Sequence, residues 1–221
     1  MNQDDLNFLG KCLKKGLINS PCLEIGVCED HNTKALIQAH GIEYFGADLR
    51  SGPDVDFQVD IGQPLEIIRD VFNGNIFSTA LVLNLLEHTF EPIKVLDNIF
   101  GLLGSEGTCV ITTPVVWPLH DYPVDCWRIN PNFYEQYCES RSLRLFYDSF
   151  EYLKFGKVRN GDESYTLPTP AHGWRQFYSR SIHKLFNTTG RGMMFPSHVS
   201  LGVVIGKSGQ KEQNSKNVDG R

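Results

Sequence analysis

Leu6, Leu9, Leu13 and Leu17 recur at helical spacing behind Asp4 and Asp5, and Lys14, Lys15 and Gly16 close the pattern, which predicts an N-terminal helix within residues 1–19. From Cys22 to Val27 the chain is short and apolar and reads as a strand. His31–His40 reads as a helix stopped by Gly41. Ile42–Ala47 is a strand ending in Asp48, and Val55–Val59 a short one ending in Asp60. Pro64 opens a helix over Leu65–Phe72, which Asn73 and Gly74 close. Thr79–Leu83 is a buried apolar strand, Pro92 starts a helix running to about Leu103, and Thr108–Thr112 is another buried strand before Pro114.

Strands that are apolar throughout, alternating with helices of about ten residues, predict an α/β layer built on a mainly parallel sheet. Past Pro131 the pattern becomes a helix (Asn132–Glu139), a long strand (Ser142–Leu153), an aromatic, loop-rich stretch and a last strand, His198–Ile205. Residues 207–221 have no apolar periodicity and read as a disordered tail. The expected organisation is a single domain over 1–206 with a lid or acceptor-side insertion at 154–197.

The chain has 221 residues, of which 41% are hydrophobic and 21% charged. This composition excludes disordered and fibrous classes. No run reaches the ~18–20 apolar residues of a spanning helix, and the polar N-terminus lacks a signal-peptide core, so a cytoplasmic protein is expected. Six cysteines lack metal-ligand spacing and read as reduced thiols. The net charge of −5 is uneven: residues 1–153 carry ten basic and 22 acidic side chains, whereas 154–197 carry seven and two. An acidic body without a continuous basic stripe argues against nucleic acid.

In such sheets ligands bind beyond the carboxyl ends of the strands. The turn after the first strand reads Glu24-Ile-Gly26-Val-Cys28-Glu29-Asp30 and lacks the later glycines of a dinucleotide fingerprint. Its carboxylates would repel a pyrophosphate and suit a cationic ligand. Asp48 stands 22 residues after Gly26, where a carboxylate can accept two hydrogen bonds from a ribose diol. Asp60, followed by Ile61, could meet an adenine amine. Gly202-Val-Val-Ile-Gly206-Lys207-Ser208 falls one residue short of a phosphate loop and reads as strand plus tail.

Taken in order, LEIGVCEDHN, YFGADLR, DVDFQVDIG, ALVLNLLEHTFEP and EGTCVITTP resemble the motifs of class I S-adenosylmethionine-dependent methyltransferases. The LEH-x-x-x-P stretch is close to the branch containing ubiquinone-type O-methyltransferases. HDYPVDCWRINPNFY resembles an element of bacterial methyltransferases associated with cell-surface glycan synthesis. The resemblance spans roughly residues 20–140. It implies a Rossmann-like fold with a seven-stranded, mostly parallel sheet, helices on both faces and an added lid, with S-adenosylmethionine as cofactor. It also implies that Glu24, Gly26 and the turn at Cys28 hold the methionine end, Asp48 the ribose, Asp60 and Ile61 the adenine, and that Asn84 and Leu85 line the reacting face.

An acceptor hydroxyl must lose its proton as it attacks, so a placed base is expected. His88, just past the fourth strand, is the first candidate, with His120 and Asp121 as rivals or as an orienting pair. Trp117, Asp125, Arg128 and Arg175 are candidate acceptor contacts, although Asp125 and Arg128 could instead form a structural salt bridge beside a buried Trp127. Glu87, His88, His120 and Asp121 could also gather around a divalent metal, but their sequence spacing is not diagnostic and no metal is assigned. The acceptor is expected to be a small molecule or glycan precursor, and the basic segment would suit one that bears phosphate. The rival readings are a non-catalytic adenosyl-binding module and a nicotinamide-dependent oxidoreductase.

Overall fold

In the computed structural model, residues 3–27, 32–120, 124–159 and 198–207 are described, together with positions 181, 185 and 188. The apolar runs form the middle of one sheet. β1 (Cys22–Ile25) is buried at every position, β4 (Phe77–Leu83) at all but Ser78, and β9 (Val199–Lys207) at all but its last residue. Strands covered on both faces have no use for alternation, which is why they read as continuous hydrophobic runs. Around them lie β2 (Tyr44–Asp48), β3 (Phe57–Gln58), β5 (Leu103–Val116), β6 (Leu143–Leu145), β7 (Glu151–Tyr152) and β8 (Gly156–Lys157). The order is β3-β2-β1-β4-β5-β9-β7-β8, with β6 also on β9.

β3, β2, β1, β4 and β5 pair in parallel, whereas every pairing of β9, and that of β7 with β8, is antiparallel. The expected seven strands become nine. The stretch read as one strand, Ser142–Leu153, is broken by a 3-10 turn at Tyr147–Ser149 into β6 and β7, which meet β9 at different places, and β8 adds a hairpin. At the break, Lys15 Nζ donates to the Asp148 carbonyl at 2.6 Å and to Ser149 Oγ at 3.0 Å. β9 extends through Lys207, which pairs with Leu143, two residues past the expected strand end at Ile205. Gly202 and Gly206 lie inside this strand, in agreement with the strand reading of that segment.

Successive residues of the central strands feed two separate cores. Ala80, Val82, Cys109, Ile111, Val203 and Ile205 face one, and Leu81, Leu83, Val110 and Val204 face the other. α3 (Leu65–Val71), α4 (Pro92–Leu102) and α5 (Pro131–Arg141) cover the first; α1 (Gln3–Lys14) and α2 (Asn32–Ala39) cover the second. Each large apolar side chain so buried contributes roughly 1.5–3 kcal/mol. The fully buried face of α1 is Asp5, Phe8, Leu9 and Cys12; of the expected leucine stripe Leu9 is fully buried, and Leu13 and Leu17 pack partly buried against the same core. Phe8 reaches close to the sheet because position 202 is glycine: a Cβ there would stand 2.8 Å from the Phe8 ring. Among the described residues, no helix is long and apolar enough to cross a membrane.

β1 lies between β2 and β4, so the chain winds outward in opposite directions from this point. Its crossovers diverge there and leave a crevice beyond the carboxyl ends of β1 and β4.

Candidate functional site

A cavity of about 620 Å³ opens at that crevice. Glu24, Gly26, Asp48, Asp60, Ile61, Asn84, Leu85 and His88, all singled out in the sequence, contribute to its lining. At Gly26 the backbone turns left-handed (φ 80°) and its N–H donates to the Ala47 carbonyl at 2.9 Å. A Cβ there would stand 2.9 Å from Leu85 Cδ1, so the turn and the Leu85 side chain close on each other only because position 26 is glycine.

Glu24 is 4% exposed, and its Oε2 accepts a hydrogen bond from the Tyr44 hydroxyl at 2.7 Å. Burial pushes its carboxyl up to about 7, against the opposing bonds from Tyr44 and Thr33. Asp48 and Asp60 are oriented by their own turns: Asp48 Oδ1 accepts from the Arg50 N–H, and Asp60 Oδ1 from the Gly62 N–H, both at 2.8 Å. Asn98 donates to the Ile61 and Gln63 carbonyls, each at 2.8 Å, fixing the loop after β3. Asn84, itself left-handed (φ 50°), spends its side-chain N–H₂ on Asp5 Oδ2 at 3.0 Å, so it ties α1 to the end of β4.

A second group of residues adjoins this cavity through His88. Residues 124–127 dock on the turn after β4 through three bonds. Cys126 N–H donates to the Glu87 carbonyl at 2.7 Å, Trp127 Nε1–H to the Thr89 carbonyl at 2.8 Å, and His88 Nδ1–H to the Val124 carbonyl at 2.5 Å. Asp125 and Arg128 hold the loop's own shape. They form a two-pronged ion pair, and Arg128 also donates to the carbonyls of Trp117, Pro118 and Trp127. The guanidinium and the His120 N–H hold the Asp125 carboxyl well below the usual range.

Asp125 Oδ2 also meets His120 Nδ1 at 3.0 Å, and the His120 ring stands edge-on to His88 with centroids 5.1 Å apart. Glu87 is buried beneath them at 1% exposure, its Oε1 3.8 Å from His88 Nε2. Burial pushes its carboxyl up to about 7.

No family model and no curated protein matches the sequence. Solved structures do match. A S-adenosylmethionine-dependent methyltransferase from Archaeoglobus fulgidus aligns over 93% of this chain and 95% of its own, with a TM-score of 0.57 at 14% identity. The fold is that of the class I S-adenosylmethionine-dependent methyltransferases. The 1,6-didemethyltoxoflavin-N1-methyltransferase from Burkholderia thailandensis, solved with S-adenosylhomocysteine, aligns over 93% of this chain and 78% of its own, with a TM-score of 0.56 at 9% identity. The [4+2]-cyclase SpnF aligns over 92% and 81%, with a TM-score of 0.55 at 14% identity. These likenesses are of architecture.

Within the methyltransferase fold the expected residues divide into three groups. Seven of the eight expected cofactor contacts, all but Cys28, share one cavity with His88, and His120 adjoins His88. Asp125 and Arg128 are engaged with each other, which supports the structural reading of that pair, although Trp127 is 40% exposed rather than buried. Trp117 lies edge-on against His198 at 4.7 Å and does not line the cavity. Cys28, Asp121, Arg175 and almost all of the expected lid fall outside the described residues. Where that segment is described, Lys154, Lys157 and Arg159 are paired with Asp4, Asp148 and Glu135 of the acidic body.

Sequence reasoning missed Tyr44, Asp5 and the burial of Glu87. Asp5 carried a visible signal, since it stands three and four residues before Phe8 and Leu9 and so shares their face.

Proposed function

We propose that this chain transfers the methyl group of S-adenosylmethionine to a hydroxyl of a small molecule or glycan precursor. The observation that carries the reading is the charge of the cavity. Glu24, Asp48 and Asp60 stand at or just past the ends of three neighbouring parallel strands, and the described lining holds one arginine, Arg50, against them. Such a slot suits a ligand with an ammonium, a sulfonium, a diol and an amine, and opposes a pyrophosphate. Glu24 takes the ammonium, Asp48 the ribose and Asp60 the adenine edge, while the tight Gly26–Leu85 contact sets the depth at which the sulfonium lies.

The sulfonium supplies an already activated methyl, so the protein's task is alignment, which can supply roughly 7–11 kcal/mol. The acceptor lies against His88. Because His88 Nδ1–H is committed to the Val124 carbonyl, Nε2 carries the lone pair toward which an acceptor O–H can point. As the O–CH₃ bond forms and the S–CH₃ bond breaks, the hydroxyl proton leaves toward this histidine wall, and a neutral thioether departs.

A second reading has a specific basis, since one architectural relative is named for a cyclisation, and the fold by itself does not dictate methyl transfer. The chain would then bind the adenosyl ligand without turnover. The test is label transfer from methyl-labelled S-adenosylmethionine to a panel of sugars and phenols, each with and without phosphate. Label on a neutral hydroxyl supports the proposal; adenosyl binding with no transfer across the panel supports the second reading.

A further inference from the structure

We propose that Glu87, His88 and His120 bind a divalent transition-metal ion at the acceptor end of the cavity. One ligand atom from each lies within 4.8 Å of the others. Two imidazoles and a carboxylate form a donor set suited to Zn²⁺ and related ions, with positions left open for a substrate oxygen.

Two further features point to an ion. First, both rings have their Nδ1 engaged from behind. His88 Nδ1–H donates to the Val124 carbonyl; His120 Nδ1 faces the Pro118 carbonyl at 3.4 Å and lies 3.0 Å from Asp125 Oδ2, which accepts from the His120 backbone N–H and from Arg128. This is how metal-binding histidines are commonly supported, and it leaves each Nε2 as the free lone pair. An acid–base histidine needs one such support; here two neighbouring rings have one each.

Second, Glu87 Oε2 is buried and has no hydrogen-bond partner among the described residues. The carboxylate's other oxygen, Oε1, stands 3.8 Å from His88 Nε2, and a cation bound to the carboxylate there would compensate its buried charge. Donors bound to a metal at about 2.1 Å stand about 3.4 Å apart in a tetrahedral site, so the group, within 4.8 Å, must close by up to about 1.4 Å. His120 is the member able to move, since its side chain is 38% exposed and lies on a loop.

The inference deepens the methyl-transfer reading and rests on it only for the acceptor: with both Nε2 lone pairs on the ion, the bound hydroxyl would be acidified and lose its proton to solvent before attack, in place of transfer to a bare imidazole. Metal binding itself can be measured without cofactor. The full chain, stripped with a chelator, is titrated with Zn²⁺ against a chromophoric competitor and with Co²⁺ by visible absorption. Glu87→Gln, His120→Gln and Cys126→Ser are run in parallel, with circular dichroism as the check on folding.

The expected result is one ion per chain with a nitrogen–oxygen Co²⁺ spectrum. Affinity should fall in either Gln variant by more than the roughly 10–100-fold that loss of an outer partner costs, and hold in Cys126→Ser. Absence of tight binding, retention in folded Gln variants, or a thiolate charge-transfer band overturns the site. Titrating the same samples with S-adenosylmethionine separates the two readings. Metal binding without adenosyl binding removes methyl transfer alone, and adenosyl binding without metal removes the ion alone.

Discussion

Glu24 couples the cavity's charge to pH, and its replacement by Gln tests the adenosyl reading quantitatively. Burial lifts its carboxyl from 4.5 to about 7, so near neutrality the empty protein is divided between the two forms. A cationic ligand needs the carboxylate. Its affinity should therefore weaken as pH falls through 7, by about tenfold between about pH 8 and about pH 6.

The effect on stability has the opposite sense. A folded-state value raised above the unfolded one contributes stability that is full below about 4.5 and lost as pH rises through about 7, on the order of 3 kcal/mol for this shift. Glu24→Gln keeps an oxygen for the Tyr44 hydroxyl and removes the titration. Without ligand it should melt several degrees above the parent at about pH 8, since 1 kcal/mol is worth roughly 2–4 °C in a chain of this size. Calorimetric titration with S-adenosylmethionine at three pH values should then show weakened binding and a flat profile for the variant. Parallel pH profiles in parent and variant would refute the assignment of Glu24 to the ligand's cation.

Three other outcomes are expected. Gly26→Ala should destabilise by about 1–2 kcal/mol from left-handed strain alone, with a further clash penalty that Leu85→Ala relieves; chemical denaturation of both single variants and the double variant separates the two terms, and no coupling between the sites would deny the contact. His88→Ala should slow methyl transfer by roughly 10²–10⁴-fold with little change in cofactor affinity, measured as kcat against cofactor Kd, and an unchanged rate would move the acceptor away from this wall. Arg128→Ala should lower stability by up to about 3 kcal/mol, because Asp125 is left buried without its cation, and a melting point equal to the parent's would contradict the loop-clamp role.

Much of the site was legible because the physics is local to the strand ends. Gly26, Asp48, Asp60 and Asn84 each follow a hydrophobic run within one or two residues, and a parallel sheet brings such ends together. What escaped the sequence depends on partners distant along the chain. Nothing near Glu24 announces that the Tyr44 hydroxyl will reach it, and nothing near Asn84 that its amide will be taken up by Asp5, 79 residues away. The turn between β6 and β7 likewise takes a partner distant along the chain, Lys15. Asp125 and Arg128 are the contrasting case: three residues apart, they could be read as a pair in advance, and the structure joins them.

The most direct test of the central claim is calorimetric titration of the purified chain with S-adenosylmethionine, S-adenosylhomocysteine and NAD. The acidic cavity predicts micromolar binding of both adenosyl ligands and none of the dinucleotide. Binding of NAD, or of no ligand at all, would contradict it.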